Sequence, residues 1–409
     1  MEPIVLDGRT GEGGGQLVRL ACGLAALTCQ PVTIQHVRGN RRGGRGGGLK
    51  VQHVTSLSWL AKVTDAEVHG LAVGSENLTF KPRRSPAELV QRNFEIEADT
   101  DAASALLILQ AIFPYVLFAG NDTNEPVVLH IYGGTNVHWS LSYEYFDQVL
   151  MPVFEERFGV RVQRELKTRG WNLGPRSRGH IALAVHPVRR GESLKFMPPP
   201  RFAYPSSYQV LRVDASIIAP RASHETVQEE LGRSLGQVYP DAEIHFEIVE
   251  DSGHDTRWSI LLVAHSPGGI RWGRDSLFSM PKKLKSTREK FIQRACARLC
   301  EALYEETTLG GTVDEFLQDQ LVAVQALAEG FSTFPRGRIS SQSTDGLVEK
   351  LGTIEVRDDT GTRKEKTHEP FGNGSTHTTT ARWVASELLP GAEFHQEGDT
   401  VKGVGFCVL

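Results

Sequence analysis

A histidine among threonines, Ser375-Thr376-His377-Thr378-Thr379-Thr380-Ala381-Arg382-Trp383, lies near one end of the chain. A glycine cluster, Gly11-Glu12-Gly13-Gly14-Gly15-Gln16, lies near the other. A neutral imidazole, with an ordinary pKa of about 6.5, can attack phosphorus and form a phosphoramidate labile enough to pass its phosphoryl group onward. Taken alone, such a histidine is equally a hydrogen-bonded surface or core residue. Glycines without Cβ let backbone approach a phosphate closely, and the N-terminus of a following helix points its N–H groups and positive dipole end at the anion. A carboxylate among those amides repels an anion unless a cation bridges the two. Glu12 therefore points to a divalent metal such as Mg²⁺ held with a nucleoside triphosphate, or else to a plain turn with a solvated side chain. The cluster lacks the Lys-Ser/Thr ending of the Walker motif and is not a dinucleotide fingerprint.

A second glycine-rich element, Arg38-Gly39-Asn40-Arg41-Arg42-Gly43-Gly44-Arg45-Gly46-Gly47-Gly48-Leu49-Lys50, places five cations within thirteen residues. Arginine forks match phosphate oxygens two at a time, so this loop could hold a second phosphorylated substrate. A solvated loop or a weak RNA-binding arm has the same composition.

These groups need elements to position them. Ile4-Val5-Leu6 reads as a short strand, Asp7 to Thr10 as a turn, and Gln16 to Ala25 as a helix, which is the strand, loop and helix order an anion cradle requires. Val32 to Val37 reads as a strand ahead of the basic loop, and Val127 to Tyr132 as another.

Leu6-Asp7-Gly8 with Gly11-Glu12-Gly13-Gly14-Gly15-Gln16 and Arg19, then Arg38, Arg41 and Gln52-His53, resembles the RNA 3′-terminal phosphate cyclase family. Gln110 in an apolar helix, Gly133-Gly134-Thr135-Asn136, Phe316-Leu317-Gln318-Asp319-Gln320-Leu321 and finally His377 follow in that family's order, over most of the chain. The resemblance implies an ATP-dependent, ligase-like enzyme. Such an enzyme adenylylates its own histidine, passes AMP to an RNA 3′-phosphate, and lets the neighbouring 2′-hydroxyl displace AMP to leave a 2′,3′-cyclic phosphate. Carried over by position, His377 is the nucleotidyl acceptor. Gln110, Phe316, Leu317, Gln318, Asp319 and Gln320 line the ATP site, with Phe316 placed to stack on adenine. Asp319 is also placed to orient His377. Gly13, Gly14, Gln16, Arg19, Arg38, Arg41 and Gln52 bind phosphate or RNA, and Glu12 supports the metal, expected to be Mg²⁺. Two turns depart from the family pattern: Asp99-Thr100-Asp101-Ala102-Ala103-Ser104 adds carboxylates, and Gly170 to Gly179 adds arginines. The alternative function is that of a noncatalytic branch of the same fold, found in RNA-binding ribosome-assembly factors, which lacks the histidine.

Length and composition accommodate this. A chain of 409 residues, 40% hydrophobic and 23% charged, can build two or three domains. A net charge of -4 gives no general polyanion affinity, so RNA contact must be local, at 38–50 and 157–178. Five cysteines without zinc-like spacing fit a reducing compartment, with Cys296 and Cys300 as packed thiols. The first residues lack a secretory pattern, and no apolar run approaches the ~20 residues needed to span a bilayer. A nuclear or cytoplasmic location is expected, with Pro281-Lys282-Lys283-Leu284-Lys285 either a helix entry or a nuclear-import patch.

The expected fold is mixed, α+β or α/β, with a large domain of repeated βαβ-type units (1–187 and 271–409) and a small inserted α/β domain (188–270). The helix Ser286 to Glu305 is assigned to the large domain, as is Asp314 to Leu327. Residues 336–376 are expected to form a mobile polar insertion.

Overall fold

The computed structural model describes residues 2–40, 46–198, 208–281, 287–337 and 371–409. Arg41, most of the basic loop, most of the lysine patch after Pro281 and most of the polar insertion expected at 336–376 lie outside the described residues.

The chain is a mixed α/β protein whose main body repeats one topology. The first unit runs β1 (Ile4–Asp7), α1 (Gly15–Thr28), β2 (Val32–Gln35), α2 (Val51–Thr64), β3 (Glu67–His69), β4 (Leu78–Lys81), with sheet order β1-β2-β4-β3. The second runs β5 (Asn93–Glu97), α3 (Ala105–Leu117), β6 (Val127–Gly133), then α4 (Tyr143–Tyr145) passing through a π-helical segment (Phe146–Leu150) into α5 (Met151–Phe158), then β7 (Arg161–Thr168) and β8 (Gly179–His186). Its order, β5-β6-β8-β7, is the same, and in both units the first two strands are parallel and the rest antiparallel. The third unit supplies α8 (Glu315–Leu327), β13 (Glu329–Thr333), α9 (Thr376–Leu388), β14 (Glu393–His395) and β15 (Thr400–Val404), ordered β13-β15-β14. Its first strand is reduced to a parallel bridge between Lys195 and Glu329.

Between that bridge and α8 sits the inserted sheet: β9 (Arg212–Ala219), β10 (Glu243–Asp251), β11 (Trp258–His265) and β12 (Arg271–Phe278), with helices α6 (His224–Val238) and α7 (Arg288–Thr308). The boundary expected at residue 270 is too early. It would cut the β11–β12 hairpin, which pairs continuously from Trp258↔Phe278 to His265↔Arg271. Helix α7, expected in the large domain, packs Ile292, Cys296, Leu299, Cys300 and Leu303 into a second apolar core with Val227, Leu231 and Leu235 of α6. The other face of β11, through Leu261 and Val263, joins the main core. A strand buried on both faces loses the alternation that marks a solvent side, which is why Ile260 to Ala264 of β11 reads as a continuous apolar run.

One helix from each unit meets at the centre. Helix α1 packs on α3 and on α9, and α9 packs on α8. Gly23 of α1 makes the first crossing close: a Cβ there would lie 2.5 Å from the Ala111 carbonyl oxygen. Helix α3 is buried almost all round, so Gln110, its one strongly polar side chain, must find partners within the protein.

Candidate active site

The N-termini of α1 and α9 converge on one end of this helical layer. Ser375 caps α9 by accepting from the Thr378 N–H at 3.1 Å, which sets His377 in the first turn. Gly14 is the N-cap of α1 and makes no side-chain cap hydrogen bond, so the first amides of α1 are not occupied by a cap. The Glu12 N–H donates to Thr380 Oγ1 at 2.8 Å, tying the glycine loop to α9 across 368 residues of sequence.

A continuous set of hydrogen bonds follows. His377 Nδ1 donates to Gln16 Oε1 at 2.5 Å, and Gln16 Nε2 donates to Asp319 Oδ2 at 3.0 Å. Asp319 Oδ1 accepts from Gln320 Nε2 at 3.0 Å, and Gln320 Oε1 accepts from Gln110 Nε2 at 3.0 Å. Gln110 Oε1 accepts from Arg19 Nε at 2.6 Å. The orientation of the Gln16 amide decides the imidazole tautomer: with Oε1 toward the ring, the neutral His377 carries its proton on Nδ1 and its lone pair on Nε2.

Arg19 Nη1 lies 3.4 Å from His53 Nε2. His53 Nδ1 accepts the Lys50 backbone N–H at 3.0 Å, so its proton sits on Nε2, and two donors stand side by side at the start of α1. Burial, with the nearby Arg19, Arg38 and Lys50 charges, holds His53 well below the usual histidine range, so it stays neutral. Burial lowers Arg19 to about 10, which leaves it cationic at neutral pH. Two adjacent donors that cannot bond to each other are arranged for an anion. They meet where Gly15 has no side chain: a Cβ there would lie 2.6 Å from both nitrogens. Gly15→Ala is therefore expected to lower the melting temperature of the free protein, since its Cβ displaces two buried side chains, and to weaken the binding of inorganic triphosphate at least about ten-fold, read as the further shift on adding the anion. An undiminished shift would mean that the anion lies elsewhere.

Behind these groups opens a cavity of about 510 Å³. Gln16, Arg19, Gln110, Phe316, Asp319, Gln320 and His377 stand in its wall, with an apolar lining from α3 and from the 146–154 segment. Phe316, 37% exposed, is backed by the Arg274 guanidinium 4.9 Å from its centroid, and Arg274 is itself paired with Glu306. Burial pushes Asp319 up to about 7, against the lowering effect of its bonds to Gln320 and Gln16 and of the Arg19 charge.

Leu317 and Gln318, expected in the nucleotide site, are outside this wall. At about 100° per residue, α8 turns 316, 319, 320, 323, 324 and 327 toward the cavity and sends Leu317 into the core, while Gln318 accepts from Thr378 Oγ1 at 3.5 Å. Gly13, with φ of 58°, Gly14 and Glu12 form the loop beside the wall rather than the wall itself. Arg38 ties its guanidinium to the Gly46 and Gly48 carbonyls, both at 3.3 Å, within reach of the Arg19 charge. Gln52 opens α2 beside His53 and is half-buried outside the cavity wall. His53 is part of the resemblance but has no role assigned there, and Thr380, His138 and Asp275 carry no local signal of their place here; each meets the site only through tertiary contact. The two unusual turns meet each other: Arg178 donates to Asp101 at 3.1 Å and to Glu97, the last residue of β5, at 3.3 Å, so one added arginine pairs with one added carboxylate.

The family model described as RNA 3′-terminal phosphate cyclase matches residues 10–355. A protein of that name from Staphylothermus marinus is 32% identical over 348 residues, covering 81% of this chain and 87% of its own. Another from Pyrobaculum aerophilum is 32% identical over 351 residues, 86% and 91% of the two chains. One from Drosophila melanogaster is 29% identical over 347 residues, 84% and 88%. The chain belongs to the RNA 3′-terminal phosphate cyclase family of enzymes. The family-model match ends before His377, so the case for that residue rests on its geometry.

Proposed function

We propose that this enzyme converts an RNA 3′-terminal phosphate to a 2′,3′-cyclic phosphate with ATP as co-substrate, through AMP carried on His377. The observation that carries the proposal is the 2.5 Å bond from His377 Nδ1 to Gln16 Oε1, which puts the nucleophilic lone pair on Nε2 at a cavity large enough for a nucleotide. In the first step Nε2 attacks the α-phosphorus of ATP, the N–P bond forms, the bond to the bridging oxygen breaks and pyrophosphate leaves. In the second, an oxygen of the RNA 3′-phosphate attacks the same phosphorus and His377 leaves as neutral imidazole. In the third, the vicinal 2′-hydroxyl, held at high effective molarity, attacks the 3′-phosphorus, loses its proton and expels AMP.

Arg19, the His53 N–H and the first amides of α1 receive the phosphates, and Phe316 offers a ring face to adenine. Among the described residues no group of three or more histidine, cysteine or acidic side chains could hold a metal. Glu12, beside the α1 amides, fits a divalent cation whose remaining ligands are phosphate oxygens and water, the arrangement Mg²⁺ favours. Such a cation would neutralise charge on the departing pyrophosphate. An RNA labelled in its 3′-terminal phosphate should hold that label against phosphatase only after incubation with ATP and Mg²⁺. Unchanged sensitivity with folded protein would favour the noncatalytic alternative.

Asp319 gives a pH signature. Below about pH 7 it gains a proton and offers one accepting oxygen instead of two, so Gln16 or Gln320 loses its acceptor and His377 loses its fixed tautomer. His377 must also be unprotonated, so kcat/KM for adenylylation should fall more steeply below about pH 7 in wild type, where protonation of Asp319 slows the step as well, than in Asp319→Asn. A slope unchanged by the substitution would remove Asp319 from this role. Stability moves the opposite way. The folded pKa is raised, so this group's contribution is full below its unfolded value of 3.8 and is lost as pH rises to about 7.

A further inference from the structure

Helix α7 turns a row of unpaired cations to solvent. Its apolar residues Ile292, Cys296, Leu299 and Leu303 face the second core, and at about 100° per residue Lys290, Arg294 and Arg298 fall on the opposite side, where all three are exposed. Among the described residues, none of these three side chains makes an ion pair or a hydrogen bond. Arg288, two residues before Lys290, shows the contrast: it donates to Ser223 Oγ at 2.8 Å and lies over the Trp258 ring at 5.6 Å.

The row works against the helix that carries it. Like charges four residues apart repel, and Lys290, Arg294 and Arg298 make two such pairs. Lys290 also lies in the first turn, at the positive end of the helix dipole, whereas the last turn, where cations are favoured, has none. A ligand with repeated negative charge relieves both penalties. Spacing says which ligand: four residues of helix rise about 6 Å, close to the separation of neighbouring phosphates in a single RNA strand, so the row matches successive phosphates. On a chain with a net charge of -4, polyanion contact has to be local in this way.

The row also has a definite place relative to the chemistry. Glu306, near the end of α7, pairs with Arg274, whose guanidinium covers Phe316 in the cavity wall. Helix rise puts Arg298 about 12 Å and Lys290 about 24 Å from Glu306. Glu301 and Glu305 follow Arg298 on the outer face and end the row on the side of the cavity. A strand with its 3′-phosphate at His377 thus meets the row only upstream, from about its fourth nucleotide, and never at the reacting end.

We propose that Lys290, Arg294 and Arg298 form a phosphate-binding face for the body of the RNA substrate, apart from the catalytic cavity. The inference rests on RNA being the substrate, as proposed above. The test compares wild type with the triple variant Lys290→Gln, Arg294→Gln, Arg298→Gln on a 3′-phosphorylated trinucleotide and on a 3′-phosphorylated RNA of about 20 nucleotides. Labelling of His377 by ATP and cyclisation of the trinucleotide should stay within about two-fold of wild type, since neither reaches the row. On the longer RNA, kcat/KM at low salt should fall at least about ten-fold, and its log–log slope against salt should flatten by about 2, the share of three single-strand phosphate contacts. The urea midpoint should not fall, because the substitutions remove only exposed side chains that repel one another. Equal effects on the two RNAs, or none on either, would overturn this inference while leaving cyclisation intact. Unchanged RNA kinetics with a changed oligomeric state would assign the row to a protein contact and overturn it too. No cyclisation of either RNA by wild type would remove the underlying function and this inference with it.

Discussion

His377→Ala is expected to form no AMP adduct and to lose at least about 10⁴-fold in cyclisation, because removal of a covalent nucleophile leaves only binding and positioning to act. The substitution should cost little stability: the residue lies in the first turn of α9, whose cap is made by Ser375 and is untouched. Urea unfolding with an unchanged midpoint, alongside the lost activity, would separate chemistry from folding. Gln16→Ala should fall between the two proteins. It keeps the nucleophile but releases Nδ1, so the adduct should still form, more slowly.

Arg19→Ala is the second large effect. Its guanidinium is buried, remains charged, and joins the hydrogen-bonded chain to the proposed anion position through Gln110 and His53. Losing one such preorganised donor costs about 10²–10³ in rate, and losing the charge with it places the expectation at the upper end. Arg19→Lys should rescue little, since a single ammonium cannot bond Gln110 and face the anion beside His53 at once. The alanine variant also leaves Gln110 Oε1 without its donor inside an apolar helix, at a cost of about 1–3 kcal/mol. Rates measured at saturating ATP, with unfolding midpoints for both variants, check the two halves. Wild-type rates in Arg19→Ala would exclude it from the phosphate site.

The candidate site was legible where residue type and local spacing mark a residue out. The glycine loop before α1, the threonine-flanked His377, and Gln110 as the lone strongly polar group in an apolar helix all announce themselves. What sequence could not show is which of them touch. Gln16 was expected at a phosphate, and instead its amide bridges His377 and Asp319, from positions 361 and 303 residues away. Asp319, expected to orient His377, makes no direct bond to it and is linked to it through that amide. Leu317 and Gln318 were grouped with their neighbours because a motif runs along the chain, whereas a helix presents only every third or fourth residue to one side.

The fold shows the same division. Strand and helix positions follow from apolar periodicity, and the inserted βαβ segment was visible as such. Helix α7 is amphipathic, but an apolar stripe does not say which sheet it will cover, so it was assigned to the wrong core. The third repeat was hidden because its first strand has shrunk to one bridge and the insertion separates that bridge from α8.

The central claim is that AMP is carried by His377. Purified protein incubated with Mg²⁺ and α-labelled ATP, denatured and digested, should yield one labelled peptide containing His377. Its label should be lost in acid and kept in alkali, as a phosphoramidate requires. Label on another peptide, or an adduct stable to acid, would contradict the account.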